Sequence, residues 1–291
     1  MYGRIVLLLF LMLTVNMNTA WSQKYAFYVM GAKGSPEKRV NNTWSLIKIG
    51  DQLQAADEVR VPANGYLGMS HSSGKPLELR DPGSYKVAEL AARVGQGNSP
   101  LSKYTDFILS TEQDKKNKLS ATGAVHRGGT AKIQVHLPAT GKADVLGSYF
   151  IVTWNSDGSS TYTVTVMDML ENQLGQYQTP SNSLKINLGD LNTASQALLL
   201  TVKSGNGNSS DKQSVRILTG EKRKHWAEFE RDIAALQQDK SAIGKYMLGN
   251  MYESRLLLID AMTAYKEAAD LEPEVYGEFY SQYINRLGYS Q

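Results

Sequence analysis

The chain has 291 residues, of which 42% are hydrophobic, and a formal net charge of +3. A charge so close to balance favours neither a nucleic-acid partner nor general attraction to anionic lipid, and the length predicts two or three domains. The absence of cysteine excludes disulfides, thiolate metal sites, thiol nucleophiles and a lipid-modified N-terminal cysteine.

The first 22 residues have the organisation of a secretory signal peptide. Arg4 precedes an apolar run over residues 5–15, and the small residues Ala20 and Ser22 occupy the two positions that a signal peptidase reads before cleavage at residue 23. The run is shorter than the roughly twenty residues that a spanning helix needs, although an uncleaved anchor is the alternative. We therefore expect a periplasmic mature chain, residues 23–291, with no stable membrane span; association with the outer membrane stays open.

Residues 23–94 predict a small β domain. Short alternating runs end at Gly, Asn or Pro every 8–12 residues, which is typical of an all-β sandwich or barrel. The predicted strands include Tyr25–Val29, Trp44–Ile49, Glu58–Val61, Tyr66–Met69 and Leu77–Leu79.

These residues also carry a family resemblance. The pattern consists of Gly34, Trp44, Leu46-x-x-Gly50-Asp51-x-Leu53, Asp57-x-Val59-x-Val61, Asn64-Gly65-Tyr66, Gly74-Lys75 and Glu78-Leu79. It resembles the FecR-type periplasmic domain, a β fold of envelope signalling and scaffold proteins. The resemblance implies the fold alone, because the chain has no cytoplasmic segment of the kind that signalling members use.

Residues 95–123 predict a linker followed by a connecting helix. Gly, Asn, Ser and Pro dominate residues 95–100, and an apolar stripe at helical spacing follows over residues 101–119.

Residues 124–219 predict a β-sandwich. Seven candidate strands alternate with turn residues, which favours an immunoglobulin-like fold. The segment from Phe150 to Leu218 resembles a fibronectin type III domain. The candidate strands are Ala131–Leu137, Ser148–Asn155, Thr161–Met167, Leu174–Gln178, Leu184–Leu188, Ala197–Lys203 and Gln213–Leu218.

Residues 220–291 predict a helical module. The repeat signature consists of Leu248, Gly249, Tyr252, Ala261, Tyr265, Ala268 and Pro273, which is the spacing of the tetratricopeptide repeat. Lys245 stands where that repeat usually has Trp. Because one repeat cannot bury its own faces, we expect flanking helices over 223–238 and 274–287 to cap it. The basic run 222–225 is either a solvated helix start or a contact for a phosphate-bearing lipid head group or an acidic partner.

The last predicted helix is unusually aromatic. Tyr276, Phe279, Tyr280 and Tyr283 either pack against the repeat or form an exposed patch that binds a partner protein, since aromatic residues are enriched at interface hot spots.

No pattern predicts catalysis, a metal site or a cofactor. The four His residues are scattered over different modules without metal-ligand spacing, and Ser72-x-x-Lys75 falls in a predicted β turn. We therefore expect a non-catalytic envelope scaffold that binds an envelope protein or complex through its helical module. The alternative is a glycan- or peptidoglycan-binding protein using Trp44 and Tyr66, although Trp44 is also a candidate core residue.

Overall fold

The computed structural model describes residues 25–95, 99–102, 133–138, 143–191 and 194–289. The predicted signal peptide, most of the predicted connecting helix and His126 lie outside these residues.

The N-terminal module contains eight strands in two four-stranded sheets, ordered β4-β1-β6-β7 and β3-β2-β5-β8. The sequence predicted five of the strands, and β2, β4 and β8 are additional. Strand β1 continues to Lys33, beyond its predicted end at Val29. A helix, α1 (Val87–Val94), closes the module and buries Val87 and Leu90. The strands are β1 (Phe27–Lys33), β2 (Glu37–Val40), β3 (Thr43–Leu46), β4 (Gln52–Leu53), β5 (Glu58–Val61), β6 (Tyr66–His71), β7 (Pro76–Leu79) and β8 (Gly83–Lys86).

The first sheet of this module is buried on both faces. Along β1, Phe27 and Val29 point into the module's own core, whereas Tyr28 and Met30 belong to the larger core shared with the rest of the chain. Antiparallel sheets commonly leave one face in water, so a second buried face indicates that another part of the chain covers it.

The middle module is a two-sheet β fold, which agrees with the prediction of a β-sandwich. A five-stranded sheet, β10-β16-β15-β12-β13, packs on a three-stranded sheet, β14-β11-β9, around Phe150, Val152, Trp154 and Val164. The predicted first strand is short here, and an extra strand, β10, follows it and pairs in parallel with β16. The strands are β9 (Val135–His136), β10 (Asp144–Val145), β11 (Tyr149–Trp154), β12 (Tyr162–Met167), β13 (Gln173–Thr179), β14 (Ser183–Asn187), β15 (Ala197–Ser204) and β16 (Gln213–Ile217).

The C-terminal part is helical, as predicted. Ser241 caps α4, where its hydroxyl accepts a hydrogen bond from the Gly244 N–H at 3.0 Å. Pro273 occupies the first position of α6 rather than the end of α5, a position that suits its fixed φ and missing N–H. The helices are α2 (Gly220–Lys224), α3 (Ala227–Gln238), α4 (Ala242–Ser254), α5 (Leu258–Leu271) and α6 (Pro273–Arg286).

The helices lie between the two β modules. Helices α4 and α6 contact β1, β6 and β7 of the N-terminal module, and α5 contacts β10 and β11 of the middle module. One continuous hydrophobic core therefore includes residues from all three parts, such as Tyr66, Phe150 and Tyr246.

Candidate functional site

The aromatic residues predicted to bind a partner lie inside the chain. Tyr276, Tyr280 and Tyr283 are 0%, 8% and 1% exposed, and Phe279 is half-buried against Tyr246 with ring centroids 5.0 Å apart. The expectation of an exposed aromatic patch is therefore wrong in this arrangement. Each of these side chains contacts a residue on another element of the chain, so together they join helix α6 to the rest of the protein.

The Tyr276 ring packs on the first β sheet where two paired glycines leave room for it. Gly31 and Gly68 pair across β1 and β6, and a Cβ at either position would lie 2.6 or 2.7 Å from the Tyr276 hydroxyl. The hydroxyls of Tyr66 and Tyr276 share a buried hydrogen bond of 3.1 Å. The two glycines thus provide the space for the ring that fastens α6 to the N-terminal module.

Charged groups reinforce the same contact. Glu272 is 5% exposed, and its carboxylate accepts hydrogen bonds from Lys33 Nζ at 3.0 Å and from Arg80 Nη1 at 2.6 Å. Glu78 accepts from the Ala242 N–H at 3.2 Å, at the positive end of the α4 dipole. The N-terminal module therefore contacts the first turns of both α4 and α6.

Asp260 forms the central polar contact with the middle module. Its carboxylate accepts hydrogen bonds from the backbone N–H groups of Leu146 and Gly147, both at 2.8 Å. Burial raises the pKa of Asp260 to about 7, because desolvation outweighs the two hydrogen bonds that favour the ionised form. A carboxyl group that titrates near neutrality therefore lies at the junction of two modules.

Hydroxyl groups on helices α5 and α6 contact strand β11. The Ile151 N–H donates to Thr263 Oγ1 at 2.9 Å, and the Thr153 hydroxyl lies 2.8 Å from that of Tyr280. Thr153 also lies 3.1 Å from Nδ1 of His136, whose pKa burial lowers to about 4. Helix α5 thus provides a partner for a β11 N–H that the two-residue strand β9 does not reach, and α6 contacts the Thr153 side chain.

A polar cleft of about 280 Å³ remains open between the middle module and helices α3, α4 and α5. Glu267 lines it, accepts a hydrogen bond from the Tyr149 hydroxyl at 2.7 Å and pairs with Lys245 at 3.2 Å and Lys185 at 3.6 Å. Its lining residues include Ser148, Tyr149, Arg223, Glu230, Gln237, Lys245, Leu248, Tyr252, Asp260 and Glu267.

The rim of the cleft carries charges of both signs. Arg223 donates to Glu230 at 2.6 Å, with 43% and 25% of the two side chains exposed, and Gln237 donates to the Tyr252 hydroxyl at 3.0 Å. Polar groups that converge on a concave surface beside a carboxyl group with a raised pKa are features of ligand and partner sites. This cleft is therefore the candidate functional site.

Six of the seven signature residues of the helical module line the cleft or are buried, and Pro273 is exposed at the start of α6. Leu248 and Tyr252 line the cleft, whereas Ala261 and Ala268 are fully buried. At Gly249 an added Cβ would lie 2.5 Å from the Tyr265 ring, so α4 and α5 approach closely there. The sequence therefore indicated part of the site, but Glu267, Glu230 and Gln237 carried no recognisable pattern.

The remaining candidate residues lie apart from the cleft. Trp44 is half-buried on the outer face of the second sheet, outside both hydrophobic cores, so its assignment to the core is wrong. The guanidinium of Arg60 lies 4.5 Å from the centre of its ring. Lys75 Nζ donates to the Val94 carbonyl at 3.1 Å, in a turn between β6 and β7. His71 and His225 are on different modules.

Two further observations concern all the residues that the structure describes. No group of three or more His, Asp or Glu side chains among them is arranged to hold a metal ion. None of the helices in the described ranges is both long and apolar enough to cross a membrane.

Comparisons with known proteins add little. No family model matches the chain, and no curated protein matches it. A solved structure that is similar, of the fibronectin(III)-like modules of Clostridium thermocellum CbhA, is 12% identical in sequence, with a TM-score of 0.20. The alignment covers 65% of this chain and 77% of that one. A score this low carries no argument, and the description of the middle module rests on its strand order.

Proposed function

We propose that this protein is a non-catalytic scaffold or adaptor of the bacterial cell envelope. In this proposal residues 1–22 export the chain to the periplasm, residues 23–94 form a FecR-like β domain, and residues 220–291 form a tetratricopeptide-like module that binds a partner protein. The observation that carries the proposal is the open polar cleft on a helical module that two β modules hold from opposite sides.

The arrangement of contacts supports a positioning role. Glu272 and Tyr276 fasten the helices to the N-terminal module, and Asp260 and Thr263 fasten them to the middle module. Helices held on both sides present the cleft in a fixed geometry, which reduces the ordering cost of binding a partner. The paired charges of Lys245 and Glu267 suit polar contacts with a polypeptide segment.

The alternative, a glycan- or peptidoglycan-binding protein, requires Trp44 and Tyr66 as an accessible aromatic platform. Tyr66 is 1% exposed and contacts Tyr276, and Trp44 lies in the other sheet with Arg60 against its ring. No observation in the described structure specifically favours this function.

The proposal is tested by cross-linking the mature chain in cell envelopes and recovering its partners by affinity purification. The test variant is Arg223→Ala/Glu230→Ala, which removes the ion pair at the cleft rim. Both side chains are partly exposed, so the pair contributes about 1 kcal/mol or less to stability. The matched control is Asp144→Ala/Arg216→Ala, an ion pair of similar exposure on the middle module.

We expect one envelope complex to be recovered with the wild-type and control proteins and to be reduced with the cleft variant. Equal recovery with both variants would show that the partner does not bind at the cleft. Recovery of cell-wall glycan alone would contradict the adaptor function.

A further inference from the structure

Strand β13 is an open edge of the five-stranded sheet. Among the described strands it pairs only with β12, and it is seven residues long, from Gln173 to Thr179. Its sequence, Gln-Leu-Gly-Gln-Tyr-Gln-Thr, contains no charged residue and no proline. A long uncharged edge presents unpaired backbone N–H and C=O groups to any strand that can align with it.

Other described edge strands have the features that discourage such pairing. Strands β4, β9 and β10 have two residues each, β7 begins with Pro76, and β14 and β8 carry Lys185 and Lys86. Strand β3 is uncharged but has only four residues. Short length, lysine, proline and β-bulges are the usual protections of sheet edges. Strand β13 has only a bulge at its N-terminal end, where Leu174 is skipped in the pairing with β12, and Gly175–Thr179 pair with β12 without interruption.

The β13 sequence is complementary to itself in antiparallel register. With a two-fold axis at Gln176, Gly175 of one copy lies opposite Tyr177 of the other, and both residues belong to the regular part of the strand beyond the bulge at Leu174. Tyr177 already leans over Gly175 within its own chain, its hydroxyl 2.8 Å from where a glycine Cβ would be. Aromatic side chains that cover glycine on a neighbouring strand stabilise sheet edges.

We propose that two copies of this chain associate through β13, forming a continuous antiparallel sheet across the two middle modules. The isologous contact uses the same strand of each copy, as in most two-fold dimers. Gln176 meets its own equivalent at the axis, where each side-chain amide both donates and accepts hydrogen bonds. The pairing brings no like charges together, because the strand has none.

The first test measures the association of the mature chain by sedimentation velocity over a range of concentrations. Gln176→Lys places two like charges directly opposite each other at the axis, which destabilises a cross-strand pair. We expect a concentration-dependent dimer whose dissociation constant rises up to about fivefold in this variant. The matched control is Gln52→Lys, the same change at an exposed position on β4.

The second test uses the absence of cysteine in the chain. Directly opposed residues of an antiparallel pair have Cα atoms about 4.5 or 5.5 Å apart, within the range for a disulfide. Gln176→Cys is therefore expected to give a covalent dimer under mild oxidation. In Gln178→Cys the two cysteines are about 13 Å apart and should not react.

A monomer at every concentration would overturn the proposal. So would a dimer that Gln176→Lys and Gln52→Lys weaken equally. Equal cross-linking of Gln176→Cys and Gln178→Cys would likewise contradict the register, since only one of the two positions lies at the axis.

Discussion

Gly31→Ala is expected to loosen the contact between the N-terminal module and helix α6. The added Cβ would lie 2.6 Å from the Tyr276 hydroxyl oxygen and 2.8 Å from Val275 Cγ1, whereas ordinary contacts begin at 3.4 Å. The fully buried Tyr276 ring must therefore move by about 0.8 Å or the sheet must shift.

Overpacking of this kind costs about 1–3 kcal/mol of unfolding free energy. At roughly 2–4 °C per kcal/mol for a chain of this size, the melting temperature should fall by about 2–12 °C. The assay is urea and thermal unfolding of the mature chain, followed by circular dichroism and tyrosine fluorescence.

Removing the obstructing atom should partly reverse the effect. Tyr276→Phe alone loses the hydrogen bond to Tyr66 and costs about 1 kcal/mol. Combined with Gly31→Ala, it removes the shortest contact of the new Cβ, so the double variant should be more stable than the sum of the single effects by about 0.5–3 kcal/mol.

The control is Gly277→Ala on the same helix. No atom lies within 4 Å of its added Cβ, so this alanine should stabilise the helix by about 0.5–1 kcal/mol. If Gly31→Ala leaves the unfolding free energy within about 0.5 kcal/mol of wild type, or if the double variant is additive, the steric argument is wrong.

Three further substitutions test the contacts between modules. Glu272→Ala removes the buried acceptor of Lys33 and Arg80, which are partly exposed and keep Glu274 and Glu78 as partners, so it should cost about 1–3 kcal/mol. Glu274→Ala, with a side chain 71% exposed, should cost less than about 1 kcal/mol, and similar values for the two variants in urea unfolding would contradict this. The pKa of Asp260 is about 7 in the folded chain and near 4 in the unfolded chain, so the folded state binds the proton more tightly. The free energy of unfolding should therefore fall as the pH rises from about 4 to about 7. Asp260→Asn should remove this part of the pH dependence, and equal slopes for the two proteins would refute the assignment. Thr263→Val leaves the buried N–H of Ile151 without its acceptor and should lower the free energy of unfolding by about 1–3 kcal/mol. Thr165→Val, at a half-buried position on β12, should leave the free energy of unfolding unchanged in the same assay.

The sequence by itself determined the division into β, β and helical parts. Period-two alternation with Gly and Asn turns predicted the strands, and a repeat of three and four residues predicted helices α3 to α6. These patterns depend on neighbours within a few residues, so they can be recognised without the tertiary structure. The short strands β2, β4, β8 and β10 were not predicted, because two to four residues carry too little alternation to be recognised.

Only the tertiary structure decided which faces are buried and where the cleft lies. An aromatic stripe has the same spacing whether it faces a partner or the chain's own sheet, so Tyr276 could not be assigned from its helix. Its partner Tyr66 is 210 residues away, and the amide that Asp260 binds at Leu146 is 114 residues away. Glu267 belongs to the cleft because α5 packs on β11, a contact that no local pattern encodes.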